Sequence, residues 1–123
     1  MGNKLLLKNM SEADLQTEVI RMAKLGGWMV CHFRAAKNSR GVWATPIQGH
    51  AGFPDVVMVH GELQRTVYAE LKKEGQYLKP EQKEWRDALL AAGQEWYLWR
   101  PTDLHDIQKT LLGHRQNRKP LWG

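Results

Sequence analysis

Apolar residues recur at helical spacing in three segments of the chain. The first segment follows an N-cap at Ser11 and stops at Gly26, the first of two consecutive glycines. The second begins at Pro80, because proline favours the first helical position, and the third follows Pro101. The residues predicted to face the core are Leu15, Val19 and Met22 in the first helix, Trp85, Ala88, Leu89 and Ala92 in the second, and Leu104, Ile107, Leu111 and Leu112 in the third.

Four short runs rich in apolar, β-branched and aromatic residues predict strands at 28–33, 55–59, 65–72 and 96–99. The connection between the second and third runs is short, so these strands are expected to pair as an antiparallel hairpin. Residues 34–53 show little periodicity and are expected to form a long loop with room for one short strand. A loop of that length in a small domain usually has a function.

These elements follow one another in the order α-β-β-β-α-β-α. Helices that alternate with strands predict a single α/β domain over residues 1–123, with a mixed β-sheet flanked by helices. The segments 1–10 and 113–123 are expected to be flexible ends. No internal repeat and no linker divides the chain.

The composition excludes several classes of protein. A hydrophobic fraction of 42% and a charged fraction of 25% are typical of globular domains. No apolar run approaches the roughly 20 residues that span a bilayer, so no membrane partner is expected. Cys31 is the only cysteine, which excludes an internal disulfide and a cysteine-based zinc cluster. We therefore expect a reducing, cytoplasmic setting.

The net charge of +5 is concentrated in two segments that contain glycine, 34–50 and 113–123, each with three basic residues and no acidic residue. Such segments suit a polyanion such as DNA, although two solvated basic loops would have the same composition. The basic residues predicted to contact DNA are Arg34, Lys37, Arg40, Arg115, Arg118 and Lys119. Trp43 lies in the first segment, where it either stacks on a base or, more simply, packs within its own loop.

The strand at 65–72 carries the candidate chemistry. Successive side chains of a strand point to opposite faces, so Tyr68, Glu70 and Lys72 share one face, with Glu70 and Lys72 about 7 Å apart. Asp55 begins the neighbouring strand and can approach Glu70 within the hairpin. Two carboxylates on adjacent strands form an oxygen site suited to Mg²⁺ or Mn²⁺, beside which Lys72 could orient or deprotonate a water. A surface salt bridge is the simpler interpretation of Glu-x-Lys alone.

Three further polar residues are candidates for supporting roles. Glu18 falls within the inward stripe of the first helix, where a charge is costly without a partner. Gln82 lies on the inward face of the second helix, three residues before Trp85. His50, which precedes Gly52, is an alternative general acid. Surface positions for Glu18 and Gln82 remain open at this point.

The motifs around these residues resemble those of the PD-(D/E)xK nuclease superfamily, and within it the virus-type replication-repair nuclease (VRR-NUC) family. The resemblance runs from about 11 to about 106, and it rests on Pro54-Asp55, Glu70-Leu71-Lys72, Gln82 and an acidic residue at Glu18. It implies a restriction-endonuclease-like fold and a metal ion bound by Asp55, Glu70 and the carbonyl group of Leu71. The family often has Ser or Thr at the N-cap where this chain has Lys79.

The resemblance implies a Mg²⁺-dependent or Mn²⁺-dependent endonuclease that hydrolyses phosphodiester bonds in DNA. We expect branched DNA, such as a four-way junction, as substrate, and a homodimer formed through the apolar face of the final helix. A phage origin is plausible for so small a nuclease. Alternative interpretations are a non-catalytic DNA-binding module on the same fold, a flap-type repair nuclease, and a small basic nucleic-acid-binding regulator.

Overall fold

The computed structural model describes residues 3–33, 36–37, 39–44 and 48–116. The helices in these ranges are α1 (Asn3–Lys8), α2 (Glu12–Leu25), α3 (Pro80–Ala91) and α4 (Leu104–Gln116), and a 3-10 turn (Pro101–Asp103) leads into α4. The strands are β1 (Met29–His32), β2 (Ala36–Lys37), β3 (Trp43–Ala44), β4 (Val56–His60), β5 (Arg65–Leu71) and β6 (Glu95–Trp99). None of the helices within these ranges has the length and apolar character needed to span a membrane.

The main sheet has four strands in the order β1-β4-β5-β6. β4 pairs antiparallel with both β1 and β5, whereas β5 and β6 are parallel. The predicted mixed sheet and hairpin are therefore confirmed, and α2, β1, β4, β5, α3, β6 and α4 follow the predicted order. The predicted loop differs from expectation, because β2 and β3 lie within it and pair with each other as a separate two-stranded sheet.

Both ends of the chain contain helical structure where flexible segments were expected. At the N-terminus α1 occupies Asn3–Lys8, and at the C-terminus α4 continues to Gln116. Residues 1–2 and 117–123 lie outside the described part of the chain.

Helix α2 begins and ends as its sequence predicts. The side chain of Ser11 accepts a hydrogen bond of 3.0 Å from the amide of Asp14, which satisfies one of the free N–H groups of the first turn. Its inward stripe is fully buried at Leu15 and Val19. The helix is capped by Gly26, where any larger side chain would collide with the carbonyl oxygen of Leu111. The glycine thus allows α2 to approach α4 closely.

The hydrophobic core lies between the sheet and the helices α2 and α4. Its buried members are Leu15, Val19, Met22, Ala23, Trp28, Val56, Met58, Val67, Ala69, Leu71, Trp99, Ile107 and Leu111. Leu104 and Leu112 are partly buried against the same cluster. The apolar face of α4 therefore packs largely against the chain's own core, and the dimer interface expected on it stays a prediction.

The inward face of α3 is narrower than predicted. Leu89 is buried and Trp85 is half-buried, but Ala88 and Ala92 are exposed. The reason is that α3 contacts the opposite, more polar face of the sheet, where its N-terminal half bonds to Glu70 through Gln82 and to the loop at His50 through Trp85. This helix therefore positions a site more than it completes a core.

Candidate metal centre

The β4–β5 hairpin brings Asp55 and Glu70 together. Its register pairs Val56 with Ala69, so the next position along each strand places Asp55 opposite Glu70. One carboxylate oxygen of Asp55, Oδ2, accepts a hydrogen bond of 2.9 Å from the amide of Leu71. The two carboxylates therefore face each other where the hairpin ends, as the alternation of side chains predicts.

The loop before Asp55 is held against the first turn of α3. Gly52 has a φ of +94°, which a residue with a side chain rarely adopts. A Cβ atom at this position would lie 2.5 Å from the carbonyl carbon of Glu81. Because only glycine satisfies both conditions, Gly52 couples the position of Asp55 to that of α3.

Gln82 on α3 connects the helix to Glu70. Its side-chain oxygen accepts a hydrogen bond of 2.8 Å from the amide of Lys79, and its side-chain nitrogen donates one of 3.1 Å to Oε1 of Glu70. The first bond occupies the amide at the start of the helix, where the Lys79 side chain provides no cap. Gln82 therefore has both ends fixed and holds one oxygen of Glu70 in place.

Glu70 is 2% exposed, and its second oxygen, Oε2, has no hydrogen-bond partner among the described residues. Burial raises the pKa of Glu70 to about 9, and the negative charge of Asp55 contributes to the same shift. Burial also raises the pKa of Asp55, while the hydrogen bond from Leu71 opposes the rise. Ionising Glu70 beside the buried carboxylate of Asp55, with Oε2 left without a partner, is unfavourable for the protein alone, and a bound cation would relieve both problems.

Lys72 supplies a positive charge to this arrangement. It follows β5 on the same face as Glu70, is half-buried, and its charge favours the ionised forms of Asp55 and Glu70. The backbone amide of Lys72 donates a hydrogen bond of 3.0 Å to the carbonyl oxygen of Trp99. The backbone of Lys72 is therefore fixed to β6, while the charge of its ammonium group opposes the rise in the pKa of both carboxylates.

The structure does not bring Glu18 to this centre. The Glu18 carboxylate forms a salt bridge of 2.9 Å with Arg21, one turn further along α2, and that interaction lowers the pKa of Glu18. The acidic residue of α2 that lies close enough to interact electrostatically with Asp55 and Glu70 is Glu12. Although the Glu12 side chain is largely exposed, partial desolvation of its carboxylate raises its pKa, and the nearby charge of Asp55 raises it further.

Helical periodicity places Glu12 on the inward stripe, three residues before Leu15 and seven before Val19, but as the first residue of α2 it is also expected as an ordinary acidic residue of the first turn. Its proximity to Asp55 depends on where the end of the helix meets the sheet. The capping signal at Ser11 places Glu12 in the first turn, and this signal and the spacing to Leu15 were the available indications.

The donor set fits a hard divalent cation. Carboxylate oxygens and backbone carbonyl groups are the ligands that Mg²⁺ and Mn²⁺ prefer. Within residues 3–33, 36–37, 39–44 and 48–116, no three or more His, Cys, Asp or Glu side chains are grouped closely enough to hold a metal ion. Asp55 and Glu70 would thus bind an ion together with backbone and water oxygens.

An aromatic cluster flanks the centre on the side of α3. The ring of Phe53 lies 4.9 Å from that of Trp85 and 6.1 Å from that of Tyr68, both edge to face. The Trp85 indole donates a hydrogen bond of 3.1 Å to the carbonyl oxygen of His50, whose ring is 3.3 Å from Glu84. His50 is thus engaged with α3, and no contact places it on Asp55.

The predicted DNA-binding residues are only partly described. Arg40 and Arg115 are exposed. Arg115 lines a cavity with Gly27 and His60, near the end of β4 opposite to Asp55. Of Lys37 and Trp43 only the backbone is described, in β2 and β3. The remaining predicted contacts, Arg34, Arg118 and Lys119, lie outside the described residues.

The fold has a counterpart among solved structures. The chain is similar to a solved VRR_NUC domain, with a TM-score of 0.56 and 13% sequence identity over 89% of this chain and 100% of that one. No protein-family model and no curated protein matches the sequence. The structural likeness confirms the predicted restriction-endonuclease-like fold and, at the level of the fold, the resemblance to VRR-NUC domains. At 13% identity the likeness shows the fold alone, and the activity depends on the residues of the site.

Proposed function

We propose that the protein is a Mg²⁺-dependent or Mn²⁺-dependent endonuclease that hydrolyses phosphodiester bonds in DNA. The observation that carries the proposal is the unpaired, buried Oε2 of Glu70 beside the carboxylate of Asp55. A nuclease-type fold with this pair at the end of a central hairpin is well explained by metal-dependent hydrolysis.

Each residue of the centre has a distinct role in this proposal. Asp55, Glu70 and the carbonyl group of Leu71 would hold the ion, and Gln82 keeps the Glu70 carboxylate oriented. When bound, the ion would neutralise the scissile phosphate and lower the pKa of a coordinated water. The Lys72 ammonium group orients the attacking water and stabilises the negative charge that develops on the phosphate oxygens.

Cleavage assays test this proposal directly. The protein is incubated with branched, flapped and linear DNA in Mg²⁺, in Ca²⁺ and in EDTA. We expect cleavage in Mg²⁺ alone, because the larger and looser coordination sphere of Ca²⁺ positions water poorly. Asp55→Asn and Lys72→Ala should each reduce the rate by at least about 10³-fold, since such groups act as a unit.

Glu18→Gln is the matched control, because Glu18 is an acidic residue of α2 that pairs with Arg21 and not with the centre. Its activity should equal that of the wild type, whereas Glu12→Gln should slow cleavage by about 10-fold, as expected for an outer group that tunes a metal site. Undiminished cleavage in EDTA, or by Asp55→Asn, would contradict the proposal. DNA binding without cleavage in any metal would favour the non-catalytic module.

We further propose that branched DNA is cut by a homodimer. One chain presents one centre and cuts one strand, so paired cuts in a four-way junction need two centres, and a two-fold axis is the commonest way to relate them. Light scattering at micromolar concentration measures the oligomeric state. A strict monomer that makes paired cuts would contradict the dimer, and a monomer that nicks flaps would favour a flap-type nuclease.

A further inference from the structure

Two segments emerge from the sheet at the edge where the candidate metal centre lies. β5 and β6 are parallel and pair through Leu71 and Trp99 at their last positions. Residues 72–79 follow β5, and Arg100 follows β6. Because parallel strands end at the same edge, both segments leave the sheet next to the position of Glu70.

Tyr77 in the first segment is unusually exposed for an aromatic residue. Its exposed fraction is 79%, although the ring is not loosely held. The guanidinium group of Arg100 lies 5.8 Å from the centre of the Tyr77 ring, within the range of a cation–π contact. The same guanidinium group donates a hydrogen bond of 2.6 Å to the carbonyl oxygen of Gln76. Arg100 therefore fixes the loop and supports one side of the ring.

A second set of hydrogen bonds ties the loop to the 3-10 turn. The carboxylate of Glu74 accepts bonds of 2.6 Å from the hydroxyl group and 3.2 Å from the amide of Thr102. Gly75 follows with a φ of +85°, which lets the chain turn sharply there. The exposed ring is thus presented by a loop that is fastened on both sides, which reduces the entropy lost when a ligand binds to it.

Tyr77 and Arg100 border an open cavity of about 400 Å³, whose other lining residues are Glu74, Gly75, Thr102 and Asp103. The carboxylates in this lining disfavour a phosphate group. Both are already engaged, since Asp103 accepts a hydrogen bond of 2.8 Å from the amide of Arg100 and Glu74 accepts from Thr102. An aromatic face beside a guanidinium group instead suits a flat, uncharged, π-bonded ligand.

We propose that Tyr77 and Arg100 form a stacking platform for an unpaired nucleobase of the DNA that is cut at the neighbouring centre. This inference rests on the proposed nuclease function and specifies its substrate class. Bases within a continuous duplex are already stacked on one another, so the platform is available only to a nucleotide that is out of the stack. The protein should therefore favour forks, flaps and branches over intact duplex.

Binding without cleavage tests this platform separately from the chemistry. A single-stranded oligonucleotide with one fluorescent 2-aminopurine is titrated with the full chain in EDTA, and a matched duplex is titrated in parallel. Tyr77→Leu should weaken single-strand binding about 10-fold, equivalent to about 1.4 kcal/mol. Tyr77→Phe should bind as the wild type does, because it keeps the aromatic face, and both variants should leave the weaker duplex binding unchanged.

Met29→Ala is the matched control, because Met29 is also 79% exposed but starts β1 at the opposite end of the sheet. It should bind both DNAs as the wild type does. A strand of the same length built wholly of abasic nucleotides, with binding then followed by anisotropy of an end label, should remove the difference between wild type and Tyr77→Leu.

Equal single-strand affinity of wild type and Tyr77→Leu would overturn the platform, as would a difference that persists on the abasic strand. Either result leaves the metal-dependent cleavage intact. Conversely, if Asp55→Asn cleaves DNA normally while Tyr77→Leu loses single-strand binding, the proposed chemistry fails and the base-binding platform stands.

Discussion

The main sheet buries one polar side chain near each end, Glu70 where β5 ends and His60 where β4 ends. The His60 ring is satisfied on both sides: Nε2 donates a hydrogen bond of 3.0 Å to the carbonyl oxygen of Gly26, and Nδ1 accepts one of 3.3 Å from the amide of Leu63. Glu70 has one oxygen held by Gln82 and the other unpaired. His60 is thus fully paired, although Nδ1 of the neighbouring His114 has no hydrogen-bond partner among the described residues, whereas Glu70 itself has an unpaired oxygen.

The residues around His60 and Glu70 also differ. The His60 ring lies 5.3 Å from that of Trp28 and 5.0 Å from that of His114, which bonds to the same carbonyl oxygen of Gly26. These contacts join α2, β4 and α4. Glu70 instead faces a second carboxylate, which makes its own ionisation harder. Buried polar groups that pair stabilise a fold, whereas like charges gathered in a buried site indicate a ligand.

Among the substitutions that compare the carboxylate end with the histidine end of the sheet, Gly52→Ala should have the largest effect on stability. The added Cβ atom would press on the backbone of Glu81 and the φ of +94° would be strained, so we expect a loss of about 3 kcal/mol. Cleavage by the remaining folded protein should also fall, because Asp55 shifts relative to α3. Chemical denaturation and the cleavage assay measure the two effects.

Gly49→Ala is the control for that change. Gly49 also has a positive φ, +104°, but nothing lies within 4 Å of its added Cβ atom. It should lose only about 1 kcal/mol, from backbone strain alone, and keep full activity. Equal effects of the two substitutions would mean that contact between the Gly52 loop and α3 does not position Asp55.

His60→Ala should destabilise the protein without affecting the chemistry. It removes two hydrogen bonds and the ring packed on Trp28, so we expect a loss of about 2 kcal/mol in the free energy of unfolding. The cleavage rate per folded molecule should remain that of the wild type, and exposed His105→Ala should change neither quantity. A selective loss of cleavage by His60→Ala would place function at the histidine end as well.

Glu70→Gln should have the opposite effect to His60→Ala. It should abolish cleavage while stabilising the metal-free protein by about 1 kcal/mol near neutral pH. The pKa of Glu70 is raised to about 9 in the folded chain, so folding retains a proton that the unfolded chain releases at its ordinary value of 4.5. The contribution of protonated Glu70 to wild-type stability is therefore fully present below the ordinary pKa of 4.5, and it is lost as the pH rises towards about 9. Glutamine does not titrate and still accepts from Gln82.

Thermal unfolding of wild type and Glu70→Gln in EDTA, over a series of pH values, measures this difference. The advantage of the variant should grow from acidic to mildly alkaline pH. A variant that is less stable than the wild type at every pH would show that Glu70 is satisfied within the protein and that the contrast between the two ends is mistaken.

The carboxylate end was largely predictable from sequence because it depends on local geometry. The alternation of side chains along β5 and a short hairpin suffice to place Glu70 opposite Asp55, and helical spacing directs Gln82 towards them. Pro54-Asp55 contributed to the resemblance, and the structure explains the glycine just before it, Gly52, by contact with Glu81.

The features that the sequence analysis did not predict depend on contacts between segments that are distant in sequence. Glu12 approaches Asp55 because the start of α2 meets the sheet there, whereas helical spacing alone gave no reason to prefer it to Glu18, which pairs with Arg21. The carbonyl oxygen of Gly26 accepts bonds from two histidines far along the chain, which no spacing could indicate. Two-residue strands such as β2 and β3 are too short to show a period.

Titration of the protein with Mn²⁺, followed by electron paramagnetic resonance of the free ion, tests most directly whether Asp55 and Glu70 form a metal centre. Wild type and Glu18→Gln should bind the ion with the same affinity, with tighter binding at higher pH because the carboxylates must lose their protons. Asp55→Asn and Glu70→Gln should each lose that binding while remaining folded. Equal Mn²⁺ affinity in wild type and Glu70→Gln would contradict the account.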